Sequence, residues 1–225
     1  RPDMDKLTDE FNLLLEKFRE AKSYDEQNEA LKGINRLRSY FETMATLVYI
    51  RHSINTEDEF YSKENDFIDE NRPKYDNLVS KFYKELVNSK FRDELEKEWG
   101  KQIFNLAELQ LEVFSEEIID DLVKENKLIS EYDKLIASAK IDFEGEQRNL
   151  SQMRPFMESK DRDIRKRATE AVSKFFEENE AEFDRIYDEL VKVRDKMAKT
   201  LGFNNYVEMG YKRLSRSDYD SYMVA

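Results

Sequence analysis

The sequence predicts an all-α protein, an antiparallel bundle of long helices with at most one short β-hairpin near residues 140–147. Two observations support this prediction. The 225-residue chain contains only five glycines and three prolines, so it is poor in the residues that form turns. Apolar side chains also recur at the spacing of an amphipathic helix along most of its length. Because sandwiches and barrels need turn residues about every ten positions, an all-β fold is excluded.

Helical periods follow one another from the first residues onward. Ser23 is the expected N-cap of the second helix, and Thr56 with Glu59 forms an expected capping box for the third. Pro73 should bend that third helix without ending it. The predicted helices cover about residues 3–21, 23–55, 57–88, 90–99, 103–114, 115–135, 151–157, 159–201 and 204–211.

Two predictions concern the second half of the chain. Residues 140–147 alternate apolar and polar side chains around Gly145, which indicates a hairpin or an extended link. Beyond it, Ser151 is expected to begin a short helix, and Ser159 to begin the longest helix, which keeps one apolar face for about 40 residues. The link is the one candidate boundary, dividing residues 1–139, an N-terminal helical bundle, from residues 140–225.

Composition excludes several classes of function. The net charge of −12 opposes binding to nucleic acid or to an anionic membrane, and no apolar stretch approaches the length of a membrane span. The chain has no cysteine, which excludes disulfides and thiolate metal sites and is compatible with a reducing compartment. Its single histidine, His52, cannot form a histidine-based zinc site alone and is interpreted as structural or solvent-facing.

No complete catalytic constellation is present in these residues. The acidic run that begins at Asp161 starts like a calcium loop, but Lys166 stands where that loop needs glycine, so we interpret it as the first turn of a helix capped by Ser159. The sequence therefore assigns no catalytic, cofactor-binding or metal-ligating residue.

An aromatic and polar cluster near the end of the chain has two interpretations. It could bind a peptide through aromatic contacts and hydrogen bonds, or, as we favour, it forms a helix interface with another part of a longer protein. Its members are Asn204, Asn205, Tyr206, Tyr211, Arg213, Arg216, Tyr219 and Tyr222.

Four segments of the second half resemble the oligoendopeptidase F group of zinc oligopeptidases, which is related to thimet oligopeptidase. They match in order and spacing from about residue 141 onward, whereas the first half is similar only as an acidic helical bundle. The segments are residues 143–168 (FEGEQRNLSQMRPFMESKDRDIRKRA), 186–194 (IYDELVKVR), 198–211 (AKTLGFNNYVEMGY) and 216–220 (RSDYD).

The resemblance implies the N-terminal portion of a cytoplasmic peptidase that cleaves short peptides in a channel. In that family a His-Glu-x-x-His helix and a further Glu hold zinc, and they lie in a catalytic domain that would follow residue 225. None of these residues has a counterpart here, so the chain alone is expected to be inactive, with zinc only in the full-length parent. Residues 140–225 would then lead into the catalytic domain, and the chain would form one wall of the channel.

A second hypothesis is a self-contained acidic helical interaction module without peptidase activity. Continuation of the reading frame into His-Glu-x-x-His would discriminate between the two hypotheses. The expected partners are short peptides and the catalytic domain in the parent, with self-association of the isolated chain through uncovered apolar surface, and neither nucleic acid nor membrane.

Overall fold

The computed structural model describes residues 1–224 and confirms the predicted fold class. These residues form eleven α-helices, a 3-10 turn at Glu116–Ile118 and one antiparallel hairpin of two strands. The helices are α1 (Met4–Glu20), α2 (Tyr24–Ile54), α3 (Glu59–Val87), α4 (Arg92–Trp99), α5 (Gln102–Glu112), α6 (Ile119–Ala137), α7 (Leu150–Met157), α8 (Arg162–Glu178), α9 (Glu180–Thr200), α10 (Tyr206–Arg213) and α11 (Ser221–Val224). The strands are β1 (Ile141–Phe143) and β2 (Glu146–Arg148).

Helices α1 to α5 surround the first and largest core. Each contributes side chains from its apolar face, as the periodicity requires. Ser23 caps α2 as predicted, its hydroxyl accepting a hydrogen bond from the Glu26 amide at 3.3 Å. Inside this core Phe41 stacks on Tyr75, with ring centroids 3.9 Å apart. This contact joins the middle of α2 to the middle of α3.

The predicted capping box of α3 is wrong. Asp58, not Thr56, caps the helix, because its carboxylate accepts from the amides of Phe60 and Tyr61 at 2.9 and 3.1 Å. Before it, Asn55 accepts from the Asp58 amide and makes a tight turn that shifts the start of the helix by two residues. A carboxylate adjacent to the first turn also interacts favourably with the helix dipole.

Helix α3 continues through Pro73, as predicted. Proline lacks the amide that would donate to the carbonyl of Asp69 four residues earlier. The side-chain amide of Asn126, on α6, donates to that carbonyl instead, at 3.2 Å. The missing hydrogen bond is therefore replaced by a contact between two helices.

A second core lies where the end of α5, the start of α6, the end of α9 and α10 meet. Helix α4 stops at Gly100, whose φ of 80° lies in the left-handed region that favours glycine. Ser115 then starts the next segment, as predicted, by accepting from the Glu117 amide at 3.1 Å. The buried residues of this core are Val113, Phe114, Ile118, Leu122, Met197, Ala198 and Met209.

The predicted hairpin is present and belongs to a third core. Ile141 pairs with Arg148 and Phe143 with Glu146. The two turn residues both have positive φ, 50° for Glu144 and 80° for Gly145, as a tight hairpin turn requires. Ile141 and Phe143 bury one face of β1 against α7 and α8.

The caps predicted for the two following helices, Ser151 and Ser159, are each wrong by two residues. Helix α7 begins at Leu150 and is capped by Asn149, which forms a reciprocal capping box with Gln152. Helix α8 is capped by Asp161, whereas Ser159, two residues earlier, accepts from the Asp161 amide. In both segments a polar residue two positions from the predicted one supplies the cap.

The predicted single helix over residues 159–201 is wrong, because it is two helices separated at Asn179. The side-chain amide of Asn179 donates to the Phe175 carbonyl at 2.8 Å, and its φ of −112° and ψ of 11° leave the helical region. A break of one residue leaves the apolar positions of α9 almost in phase with those of α8. The periodicity therefore continues across the break.

The predicted division at residue 140 stays a prediction. The second core joins side chains from both sides of that position, such as Leu122 and Met197. The third core, by contrast, contains only residues after it. Across residues 1–224, no helix has both the length and the apolarity to cross a membrane.

Candidate functional site

The aromatic cluster noted in the sequence forms a concave surface at the C-terminal end of the described chain. We call it the C-terminal surface: a depression of about 760 Å³ lined by α10, α11 and the segment between them. Of the predicted cluster, Asn205, Tyr211, Arg216, Tyr219 and Tyr222 line it. Both signs of charge and three phenol rings are thus brought together on one surface.

Arg216 is the central cation of this surface. Its guanidinium carbon lies 4.4 Å from the ring centroid of Tyr211 and 5.3 Å from that of Tyr219. Both distances are within the range of cation–π attraction. Arg216 therefore contacts both rings and orients them. The sequence spacing had predicted only that these residues lie near one another.

Three members of the predicted cluster, Asn204, Tyr206 and Arg213, do not line this surface. Arg213 and Tyr206 point toward α6, where Arg213 donates to the Tyr206 hydroxyl at 3.1 Å. Arg213 also makes two parallel hydrogen bonds to the Glu125 carboxylate, at 2.7 and 3.0 Å. These two residues fix α10 in place and are not available to a ligand at the C-terminal surface.

Glu125 is the most completely buried acid of this region, with 1% of its side chain exposed. Arg194 of α9 also donates to it, at 2.6 Å, so one carboxylate joins three helices. Burial alone would raise the pKa of Glu125, but the hydrogen bonds and charges of Arg213 and Arg194 outweigh it and lower the pKa below its usual range. The carboxylate is therefore held ionised.

Sequence reasoning missed Glu125, although a signal was present. The residue stands between Leu122 and Leu128 on the buried side of α6. An acid on the apolar stripe of a helix needs buried partners, because an unpaired charge there is costly. The identity of those partners follows only from the packing of α9 and α10.

The residues present do not fit a zinc site. His52 is buried in the last turn of α2, and neither of its ring nitrogens has a hydrogen-bond partner among the described residues. Burial, and after it the charge of Lys134, lower the pKa of His52, so the ring is neutral. In the part of the chain that the structure describes, no group of three or more His, Cys, Asp or Glu side chains is arranged to hold a metal ion.

The model of the peptidase M3 N-terminal domain matches residues 1–114, just over half of the chain. This chain belongs to the M3 peptidase family. The match covers the half in which sequence analysis found only a generic helical bundle, and so it complements the resemblance of the second half.

Solved structures of three peptidases extend the likeness over the entire chain. PZ peptidase A, solved with an inhibitor, is 56% identical with a TM-score of 0.97, and the match covers 100% of this chain and 40% of that one. A protein described as an oligoendopeptidase F, solved by X-ray diffraction at 3.1 Å, is 55% identical with the same TM-score and the same two coverages. A third, described as an oligoendopeptidase F from Bacillus anthracis strain Ames, is 53% identical over 100% of this chain and 41% of that one, again with a TM-score of 0.97.

These relatives confirm the resemblance to the N-terminal portion of oligoendopeptidase F. The chain spans about two fifths of the length of the solved relatives it matches. A comparison with curated proteins found no match.

Proposed function

We propose that this chain is the non-catalytic N-terminal segment of a cytoplasmic zinc metallo-oligoendopeptidase and forms one wall of the channel that receives short peptides. One observation carries the proposal. The full chain is more than 50% identical to solved peptidases of this type, and the match covers 40% of the length of each of them. The chain has one histidine, so the metal-binding pair of imidazoles must come from another part of the parent.

Within this proposal the chain orients peptides and takes no part in the chemistry. Zinc, held elsewhere in the parent, would polarise the scissile carbonyl and activate water. Of the two interpretations of the aromatic cluster, the proposal adopts peptide binding instead of the helix interface. Arg216 can meet a peptide carboxylate, and the tyrosine rings can pack on apolar side chains. Walls of this kind also exclude folded proteins by size.

The parent gene gives the first test. We expect its reading frame to continue in frame past codon 225 into a His-Glu-x-x-His sequence followed by a further Glu. A stop codon at that position would overturn the proposal and would favour the self-contained interaction module.

A substitution tests the channel wall directly. In the full-length parent, Arg216→Ala should raise KM for short peptides with little change in kcat, because it removes binding and leaves the metal site intact. Arg51→Ala, an exposed arginine at the end of α2, is the matched control and should leave KM unchanged. If both variants behave alike, Arg216 is not in the channel. If a parent lacking residues 1–225 keeps its preference for short peptides, the wall role fails as a whole.

A further inference from the structure

A polar pocket unrelated to the C-terminal surface lies where the first and second cores meet. Its volume is about 290 Å³, near the lower limit for pockets that bind small molecules. We call it the central pocket. Charged and polar side chains from α2, α3, α5 and α10 line it, among them Arg38, Glu42, Asp76, Tyr83, Gln110 and Arg213.

Two of the four charges on its wall are already neutralised. Glu42 accepts two hydrogen bonds from Arg72, at 2.9 and 3.3 Å. Arg213 is paired with Glu125, as described above. Glu42 and Arg213 are therefore each neutralised by a partner and offer little net charge to a ligand.

The other two charges lack an ionic partner among residues 1–224. The terminal nitrogens of Arg38 donate to neutral groups, to the Asn35 side chain at 3.1 Å and to the Tyr83 hydroxyl at 2.6 Å, which hold the guanidinium in place. Its Nε is buried without any partner. Asp76 takes part in no ion pair, and burial raises its pKa to about 6, against the favourable charges of Arg72 and Arg213. One cation held by hydrogen bonds and one carboxylate thus line the same pocket, and no ion pair joins them.

We propose that the central pocket binds a small zwitterion, a free α-amino acid, with its ammonium group at Asp76 and its carboxylate at Arg38. The two unpartnered wall charges sum to zero and stand apart, which matches a molecule that carries both charges. A phosphate would face the Asp76 carboxylate, and a metal cation would face the Arg38 guanidinium, so each would meet a like charge. The proposal does not depend on the channel role.

Calorimetric titration of the 225-residue chain with L-alanine tests the proposal. We expect saturable binding with a Kd on the order of 1 mM or tighter. N-acetyl-L-alanine lacks the ammonium group and L-alaninamide lacks the carboxylate, so each should bind at least about tenfold more weakly, because each leaves one wall charge unpaired. Absence of saturable binding of L-alanine would overturn the proposal and leave a pocket that holds only water.

Two variants distinguish a specific site from a general effect. Asp76→Asn should remove the preference for L-alanine over N-acetyl-L-alanine, whereas Arg38→Gln should remove the preference over L-alaninamide. Asp9→Asn changes an exposed acid in the same way and should bind like the wild type. Circular dichroism checks that each variant is folded. If Asp76→Asn is folded and keeps the wild-type preference, the ammonium contact is refuted, and a folded Arg38→Gln with unchanged preference refutes the carboxylate contact.

Discussion

Glu125 shows how one residue can determine the packing of three helices. Its carboxylate is 1% exposed and neutralises Arg194 and Arg213, which are 32% and 28% exposed. Glu125→Gln leaves two partly buried guanidinium groups without their anion, so the free energy of unfolding should fall by about 3 kcal/mol. Urea denaturation would measure this loss. Glu131→Gln, which breaks the exposed pair with Arg185, is the control and should cause no measurable change.

The contribution of Glu125 to stability should depend on pH in a defined direction. The folded pKa of Glu125 lies below its usual value of 4.5, so the folded state binds fewer protons than the unfolded chain. Its contribution to stability is therefore complete above that value and is lost as the pH falls through the lowered folded pKa. In Glu125→Gln this part of the acid dependence should disappear. A variant that retains the full dependence would contradict this assignment.

The contribution of Asp69 to stability depends on pH in the opposite direction. It lies on α3, accepts hydrogen bonds from Ser130 and Asn65 at 2.6 and 3.2 Å, and has its pKa raised by burial from 3.8 to about 6. Because the folded state keeps its proton to a higher pH than the unfolded chain, stability falls as the pH rises through this window. Asp69→Asn preserves an acceptor oxygen without the charge. At neutral pH it should raise the free energy of unfolding by about 1–2 kcal/mol, a shift of one pKa unit being worth about 1.4 kcal/mol.

The control for Asp69 is the pH series itself. The gain in Asp69→Asn should vanish below pH 3.8, where the carboxyl is protonated in both states. Asp9→Asn, at an exposed position on α1, should give no gain at any pH. A gain of equal size at low pH would mean that the amide stabilises the site for another reason.

At the scale of elements, the contact between α3 and α6 compensates for a proline. Asn126 donates to the Asp69 carbonyl, which Pro73 leaves without its helical donor. Asn126→Ala should therefore cost about 1–3 kcal/mol, the penalty for a buried carbonyl without a partner. In a Pro73→Ala background the new amide can donate to the same carbonyl, so Asn126→Ala should cost clearly less. Denaturation of the four proteins of this double-mutant cycle gives the coupling, and strictly additive costs would refute the compensation.

The elements themselves were largely predictable from the sequence, because apolar periodicity reflects which helix face is buried. The cap at Ser23 and the hairpin around Gly145 followed from local chemistry in the same way. The helix boundaries at Asp58 and Asn179 could not be predicted in this way. More than one polar residue near the start of a helix can serve as its cap, and a break of one residue hardly disturbs the apolar period. Such choices depend on small differences in hydrogen bonding that periodicity does not report.

At the scale of the whole molecule, the sites were less predictable than the fold. Spacing placed Tyr211, Arg216 and Tyr219 near one another, and the structure brings them to one surface. The spacing did not indicate that Arg213 pairs with Glu125 instead of lining this surface. Nor did it indicate that Arg38 and Asp76, on different helices, line one pocket. These relations require contacts between residues that are far apart in sequence, which only the packed structure provides.

The surface of the whole chain predicts association in solution. The outward side of α2 carries Tyr40, Leu47 and Ile54, one heptad apart and 48%, 51% and 73% exposed, in a protein with 39% charged residues. Exposed apolar stripes of this kind usually mark an interface, so the isolated chain should self-associate as its concentration rises. Light scattering coupled to size-exclusion chromatography would follow the mass.

Leu47→Glu places a charge at the centre of this stripe and should shift the mass toward that of the 27.0 kDa monomer, because a buried unpaired carboxylate opposes contact. Asn12→Glu adds the same charge at an exposed position on α1 and should leave the mass unchanged. If both variants dissociate equally, net charge rather than the α2 stripe controls association. A wild-type chain that stays monomeric at every concentration would show that the stripe forms no contact between copies.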